Sequence, residues 1–423
     1  MNVTGIIAEY NPFHNGHKYQ IDRIKEKNPA AYIIAIMSGS ITQRGTLTIF
    51  DKWSRARLAI LGGADLVIEL PTVFAVQSAQ NFARGAINIF NQLNIIDELA
   101  FGAEEKNLAN LQKIALSIDN PATQTKLHEK IATGYSYAAA LTAATAINLT
   151  KKDMLMQPNN ILAIEYLRAL SNTNSNISPY LIPREGAGYH ETALTAANAS
   201  ATAVRKIAEN ILFSQTDGNL ALDRLLDSQD KELLSAALPS DTFNRLRQLT
   251  ANTMPDMERL FLPLRAIFLR STTAELAKIY GINEGLENRF IKYAAMANGY
   301  NDFIKLATTK RYSASRLARI LIYILLNIRA SDIAALNTSH ALYARILAVG
   351  SRGRQLLKLL KQKSNIPLIT KTSTYLNSKK RGEENLTPLE KMLGYDTLAT
   401  ELRQLCTYGT DGKNDFQMSP LFL

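Results

Sequence analysis

Two histidines three residues apart carry the first chemical signal, in the segment Glu9-Tyr10-Asn11-Pro12-Phe13-His14-Asn15-Gly16-His17. The chain has five histidines in 423 residues, so two in one turn is a concentration worth explaining. His14 and His17 stand where a loop becomes a helix. A helix start offers unpaired N–H groups and the positive end of the helix dipole, and both favour phosphate. Side chains at i and i+3 share a face of the first turn, so both imidazoles can donate to a triphosphate as charge builds on it. Gly16 has no Cβ and lets a flat base approach the backbone. Two plainer readings compete: a metal pair and ordinary surface histidines. No third His, Cys or carboxylate stands at helical spacing to complete a metal site. Strand, glycine-bearing loop and helix stand in the order a nucleotide site needs.

Those residues must be positioned by strands and crossovers. Val3–Ala8 predicts a strand, and residues 16–28 predict a helix with Tyr19, Ile21 and Ile24 on one side. Residues 31–37 form a continuous apolar run, as in a strand buried on both faces. Helix 51–61, strand 65–70, helix 78–93 and strand 98–101 follow, and the alternation predicts a Rossmann-like parallel sheet with right-handed crossovers, an α/β fold. Ligands in such sheets bind outside the carboxyl ends of the strands. Residues 108–147 read as helical, 178–183 as a strand and 201–212 as a helix. Beyond residue 217 amphipathic helices dominate, at 230–238, 241–249, 273–280, 286–296, 313–328 and 339–347, with a short strand at 366–369 and a loosely ordered tail from Gly409. The expected organisation is a nucleotide-binding domain over residues 1–216 and a mainly α-helical domain over residues 217–423.

Further polar groups lie near the same rim. Ser38, Gly39 and Ser40 end the second strand, and Gln43, Arg44 and Lys52 follow it. Lys52 or Arg44 is a candidate for the triphosphate or a small carboxylate; a surface ion pair is the alternative for each. Asp65 and Glu69 read as capping or structural acids.

The charge is uneven. Between Asn301 and Arg381 there are sixteen Lys and Arg against two acids, Asp302 and Asp332. The remainder of the chain is slightly acidic, although the whole carries +11. A block this basic suits a polyanion, since counterion release drives nucleic-acid binding; a solvated helical surface is the bland alternative. Lys310, Arg311, Tyr312, Arg316, Arg319, Lys379, Lys380 and Arg381 are the RNA candidates. Arg316 and Arg319 share a helix face, and Tyr312 either stacks on an unpaired base or packs on the core. No helix pairs this basic face with a Trp/Phe-rich one, so a membrane surface is disfavoured. The single cysteine, Cys406, excludes an intramolecular disulfide framework and fits a reducing cytoplasm. The N-terminus lacks the basic and apolar regions of a signal peptide, and no apolar run is long enough for a bilayer.

The stretch HNGH after a strand resembles the HxGH signature of the nucleotidylyltransferase superfamily. Ser200-Ala201-Thr202-Ala203-Val204-Arg205 partly resembles its second phosphate motif, with Ala199 and Ala201 departing from it. More narrowly, EYNPFHNGH, MSGSITQRG, DKWSRARLAI, GADLVIELP, FARGA, FGAE, PNNILAIEYL and TKRYSASRLARI are similar to the bacterial tRNA(Met) cytidine acetate ligases. That resemblance implies ATP, accompanied by Mg²⁺, as substrate. Acetate attacks its α-phosphate, and the acetyl group passes to N4 of the wobble cytidine in the anticodon of elongator tRNA(Met). A nucleotidylyltransferase acting on a small phosphorylated metabolite is the alternative. The family's first motif implies that Ile7, Ala8, Glu9, Tyr10, Asn11, Pro12, Phe13, His14, Asn15, Gly16, His17, Lys18, Tyr19 and Gln20 wrap the ATP, with His14 and His17 catalytic. Gly102 would admit the ribose or base, or is a plain strand-end turn. Asn160 would bond the nucleotide, or caps a helix after Pro158. Arg184, Ser200 and Arg205 complete the expected ATP site. No protein-held metal is expected, because Mg²⁺ on ATP keeps most of its waters.

Overall fold

A computed structural model describes residues 1–135, 137–144, 157–184, 200–339, 342–408 and 413–423. Its centre is one eight-stranded sheet: β1 Val3–Ala8, β2 Tyr32–Ser38, β3 Leu66–Leu70, β4 Glu98–Ala103, β5 Ser178–Pro183, β6 Ala344–Val349, β7 Leu368–Ile369 and β8 Leu421–Phe422. The order is β5-β4-β1-β2-β3-β6-β7, with β8 also on β6. Strands β1 to β5 are parallel; β6 runs antiparallel to β3.

The sheet is buried on both faces, which is why β2 reads as an unbroken apolar run. Ile33, Ala35 and Met37 enter one core, and Ile34 and Ile36 enter the other, all at 0% exposure. The first core includes buried residues of helices Asn15–Lys27, Lys52–Leu61 and Ala201–Leu212, the second those of Ala79–Leu93 and Pro158–Asn172. From β1 the chain steps outward through β2 to β3, then returns to the far side of β1 as β4. The crevice at the carboxyl ends of β1 and β4 is therefore the topological switch point, where ligands bind.

Several sequence expectations change. The helix expected over 339–347 is instead the end of helix Ala330–Ser339 and then β6. All six residues of β6 are buried, and a short apolar run cannot be told from a buried helix by periodicity alone. The long helix expected from residue 108 is three helices, Leu108–Ile118, Pro121–Ala132 and Tyr137–Ala144. Pro121 starts a new one at its first turn, and Gly134 has φ +92°; its expected end, residues 145–147, lies outside the described residues. The tail expected to be loose is held where it is described: Asp415 is 0% exposed, and β8 extends the sheet. Residues after 217 are mostly helical up to 339, but their last part rejoins the sheet through β6, β7 and β8.

Candidate active site

The chain leaves β1 through a packed loop. Tyr10 has φ 48°, a left-handed conformation uncommon for a side chain other than Gly, Asn or Asp, and the Asn11–Pro12 bond is cis. Tyr10 and Phe13 are both 0% exposed, their rings 5.0 Å apart edge to face. Asn11 Oδ1 accepts the Ile49 amide at 2.8 Å, and the Arg205 guanidinium donates to the Asn11 carbonyl. This anchoring fixes where the next helix begins.

His14 is the N-cap of helix Asn15–Lys27. Its Nδ1 accepts the Gly16 amide at 3.0 Å, and His17 Nδ1 accepts the His14 amide at 3.2 Å. Two imidazoles thus do what a Ser/Glu pair does in an ordinary capping box. Each Nδ1 is an acceptor, so in the neutral ring the proton sits on Nε2. The ring centroids are 3.8 Å apart. Burial, then the nearby Arg184 and Arg205 charges, push His14 down to about 3. Burial, then His14 and Arg184, hold His17 well below the usual imidazole range. The pair is therefore two neutral N–H donors at a helix start rather than two cations.

Gly16 has a further reason to be glycine. A Cβ there would lie 2.8 Å from His14 Cε1, so the bare backbone leaves room for the folded-back ring. Of the other loop and helix residues, Gln20 donates to the Ala100 carbonyl at 3.1 Å and ties the helix to β4. Lys18 pairs with Asp22, Asn15 donates to the Ala236 carbonyl at 2.8 Å, and Tyr19 packs on the first core.

Arg184 and Arg205 flank the imidazoles, as their effect on His14 requires. Arg184 is exposed, and its amide bonds the Ala103 carbonyl at 3.0 Å, just after β5. Ser200 caps helix Ala201–Leu212, accepting the Ala203 amide at 3.1 Å; Ala199 lies outside the described residues. Gly102 is not required by packing, since a Cβ would meet Arg184 Cγ at an ordinary 3.4 Å. Asn160 is 1% exposed, and its Oδ1 accepts the Glu104 and Glu105 amides at 3.0 and 2.9 Å. Its side chain is turned to the loop after β4, so it positions that loop.

The rim after β2 differs from its surface reading. Lys52 is 0% exposed, with Nζ 2.8 Å from Glu69 and 2.5 Å from Asp415. Arg345 of β6 joins the same two carboxylates. Lys52 is thus a buried counterion and is spent on the fold. Asp65 is structural too, accepting the Ile33 amide at 2.8 Å. Arg55 was not singled out from the sequence, yet it is 0% exposed and donates to the carbonyls of Glu9, Ser38 and Gly39. It ties the ends of β1 and β2 together. The available signal was an arginine at i with Leu58 and Ala59 at i+3 and i+4, on the core face of its helix.

In the basic block, Lys310, Arg311 and Lys379 are exposed, and Arg311 pairs with Glu284. Tyr312 is 7% exposed, with its hydroxyl 3.2 Å from Glu284 and the Arg316 guanidinium 4.7 Å over its ring. It packs on the core and is no open stacking platform. Arg316 and Arg319 lie on helix Ala314–Leu325. The loop after β2 docks on that helix at Gly45, where a Cβ would come within 2.6 Å of the Arg319 amide. Arg44 acts on Arg319 electrostatically. Lys380 pairs with Glu390, and Arg381 holds Glu401 through two 2.9 Å bonds. Among the described residues no group of three or more His, Cys, Asp and Glu gathers as a metal site, and no helix is long and apolar enough to cross a membrane.

The geometry can be set beside known proteins. The family described as HIGH Nucleotidyl Transferase matches residues 1–417. A tRNA(Met) cytidine acetate ligase of Alkaliphilus metalliredigens is 35% identical over 100% of this chain and 99% of its own. One from Clostridium novyi is 33% identical, covering both chains fully. Among solved structures, apo Thermotoga maritima TmcAL superposes with a TM-score of 0.86 at 30% identity, covering 100% of both chains. The same protein bound with alpha-thio ATP superposes with a TM-score of 0.85 at 29% identity, with the same coverage. An imidazole pair at the switch point of a parallel sheet and full-length likeness in sequence and fold agree: the chain belongs to the tRNA(Met) cytidine acetate ligase family of HIGH nucleotidyl transferases.

Proposed function

We propose that this protein activates acetate with ATP and transfers the acetyl group to N4 of the wobble cytidine of elongator tRNA(Met), making N4-acetylcytidine in the cytoplasm. The observation that carries the reading is the neutral His14–His17 pair, whose Nδ1 atoms are occupied by backbone amides. An acetate oxygen attacks the α-phosphorus of ATP, the bond to the bridging oxygen breaks, and pyrophosphate leaves with the displaced charge. Preorganised N–H donors at a helix start favour that charge without reorganising. Arg184 and Arg205 add positive charge beside them. ATP enters as its Mg²⁺ complex, the metal being held mainly by phosphate and water. Gly102 leaves space for the nucleoside, and Asn160 holds the neighbouring loop.

In the second step the cytosine amine attacks the acetyl carbon and AMP leaves. No acyl-enzyme nucleophile is needed, in keeping with a lone cysteine that is buried. The first 216 residues perform adenylation, and the basic surface beyond residue 217 takes the RNA. Arg44, Arg316 and Arg319 support a path between them, because the loop after β2 rests on the Arg319 helix.

The test uses pure protein, Mg²⁺-ATP, radiolabelled acetate and unmodified elongator tRNA(Met). Label is expected in N4-acetylcytidine, and His14→Ala is expected to lower its formation by about 10²–10³-fold. Pyrophosphate release that ignores acetate but needs a phosphorylated metabolite would refute the reading.

A further inference from the structure

Glu9 lies in the segment expected to wrap the ATP, yet its carboxylate has no part in the adenylation scheme above. It follows β1 directly and is half-buried. Tyr10 and Phe13 turn to one core. Glu9 turns to the other side, where its charge acts on Tyr166 of the opposite core. Its Oε1 accepts the Gln43 amide at 2.5 Å, and Gln43 is itself held by the Gln77 carbonyl at 2.6 Å. Arg55 grips the Glu9 carbonyl. The residue is thus held at its backbone and through one carboxylate oxygen.

Its charge also acts on the buried Arg55, but no ion pair within 4 Å engages Glu9 among the described residues, although Arg184 and Arg205 lie at the same site. A carboxylate in a cleft that receives a triphosphate opposes binding by like charge. The carboxylate therefore suits a step other than phosphate binding, whatever the Glu9 backbone does for the nucleotide. The acceptor supplies one. The lone pair of the cytosine amine is delocalised into its ring, so the nitrogen attacks well only as its proton leaves. A carboxylate is also the group that accepts a hydrogen bond from cytosine N4.

We propose that Glu9 is the general base of acetyl transfer, receiving the N4 proton of the acceptor cytosine. This rests on the acetyl-transfer reading above. As the N4–C bond forms, the bond from the acetyl carbon to the AMP oxygen breaks. AMP departs with the bonding pair, and the N4 proton passes to the Glu9 carboxylate. The imidazole pair serves the first step and the carboxylate the second, from opposite sides of one strand end.

The two half-reactions separate cleanly. Acetate-dependent exchange of pyrophosphate into ATP reports adenylation without RNA. A single-turnover chase of enzyme-bound acetyladenylate with tRNA reports transfer. Glu9→Gln keeps the oxygen that accepts from Gln43 but is no base. Its transfer rate is expected to fall by about 10²–10⁴-fold, at least about tenfold more than its exchange rate. Glu9→Asp keeps a carboxylate and is expected to transfer faster than Glu9→Gln. Equal loss in both half-reactions, unchanged transfer in Glu9→Gln, or equal transfer by the Asp and Gln variants would overturn the assignment. Absence of acetate-dependent exchange in the wild type would remove the acetyl-transfer reading, and this assignment with it.

Discussion

Gly16→Ala separates catalytic geometry from stability at one atom. Gly16 is exposed on the first turn of its helix, and its φ is not positive. Alanine suits such a site and should stabilise the fold by about 0.5–1 kcal/mol. The added Cβ, however, would stand 2.8 Å from His14 Cε1 and 3.0 Å from Nδ1. Ordinary carbon contacts begin near 3.5 Å, so the ring must retreat by about 0.7 Å. That retreat stretches the 3.0 Å bond that fixes the ring and moves its Nε2 proton. A misplacement of about 1 Å can cost about 10²-fold in rate. The expected loss is therefore about 10–100-fold in acetate-dependent exchange, with a melting temperature equal to or above wild type. Full activity in the variant would refute the link between ring position and catalysis. A fall in melting temperature would show that the ring cannot yield and that packing is what fails.

Asp415→Ala strips one carboxylate from Lys52 and Arg345 while both stay buried, and should cost about 3–5 kcal/mol in urea unfolding; a loss below 1 kcal/mol would mean the tail is dispensable. Burial and the Glu69 charge raise Asp396 to about 7, so the native state keeps a proton that the unfolded chain loses near pH 3.9. That contribution is full below pH 3.9 and fades as pH rises to about 7. Asp396→Asn should remove the decline, and stability curves that run parallel to wild type from pH 4.5 to 8 would refute it. With His14 held at about 3, its ring resonance in the free enzyme should not titrate between pH 5 and 8. The same depression adds stability above pH 6.5 that is lost as pH falls toward 3; an NMR midpoint near 6.5, assigned with His14→Gln, would overturn both. Arg316→Ala should weaken tRNA binding and lower its salt slope by about one, and an unmoved slope would take Arg316 off the RNA path.

What the sequence made legible was local. Strands β1 to β5 announce themselves as short apolar runs, and the histidine pair sits three residues apart beside its glycine. Each carries its own local pattern, whatever it pairs with in space. Lys52 is the opposite case: it looks like a surface lysine because its partners, Glu69 and Asp415, come from strand β3 and from the tail. β6 read as helix because its pairing with β3 spans nearly 280 residues. Tyr312 was open to either reading, and only the fold, by bringing Glu284 to its hydroxyl, decides for packing. Arg55 shows a third kind of limit. Its position on the core face was visible, but three carbonyls as partners were not, since backbone acceptors leave no mark on a sequence.

The buried cluster around Asp415 also sets a timetable. A ribosome makes Lys52 and Arg345 before it makes Asp415, the carboxylate that completes their neutralisation. Arg403, also late, carries the carbonyls of Thr48 and Ile49, and the Ile49 amide in turn holds Asn11 beside the histidines. The nascent chain therefore carries its first strands and the loop at Asn11 before it carries the arginine and the carboxylate that brace them. A chain stopped before Asp415 would leave Lys52 and Arg345 to share the Glu69 carboxylate, and one stopped before Arg403 would leave the Thr48 and Ile49 carbonyls without that guanidinium.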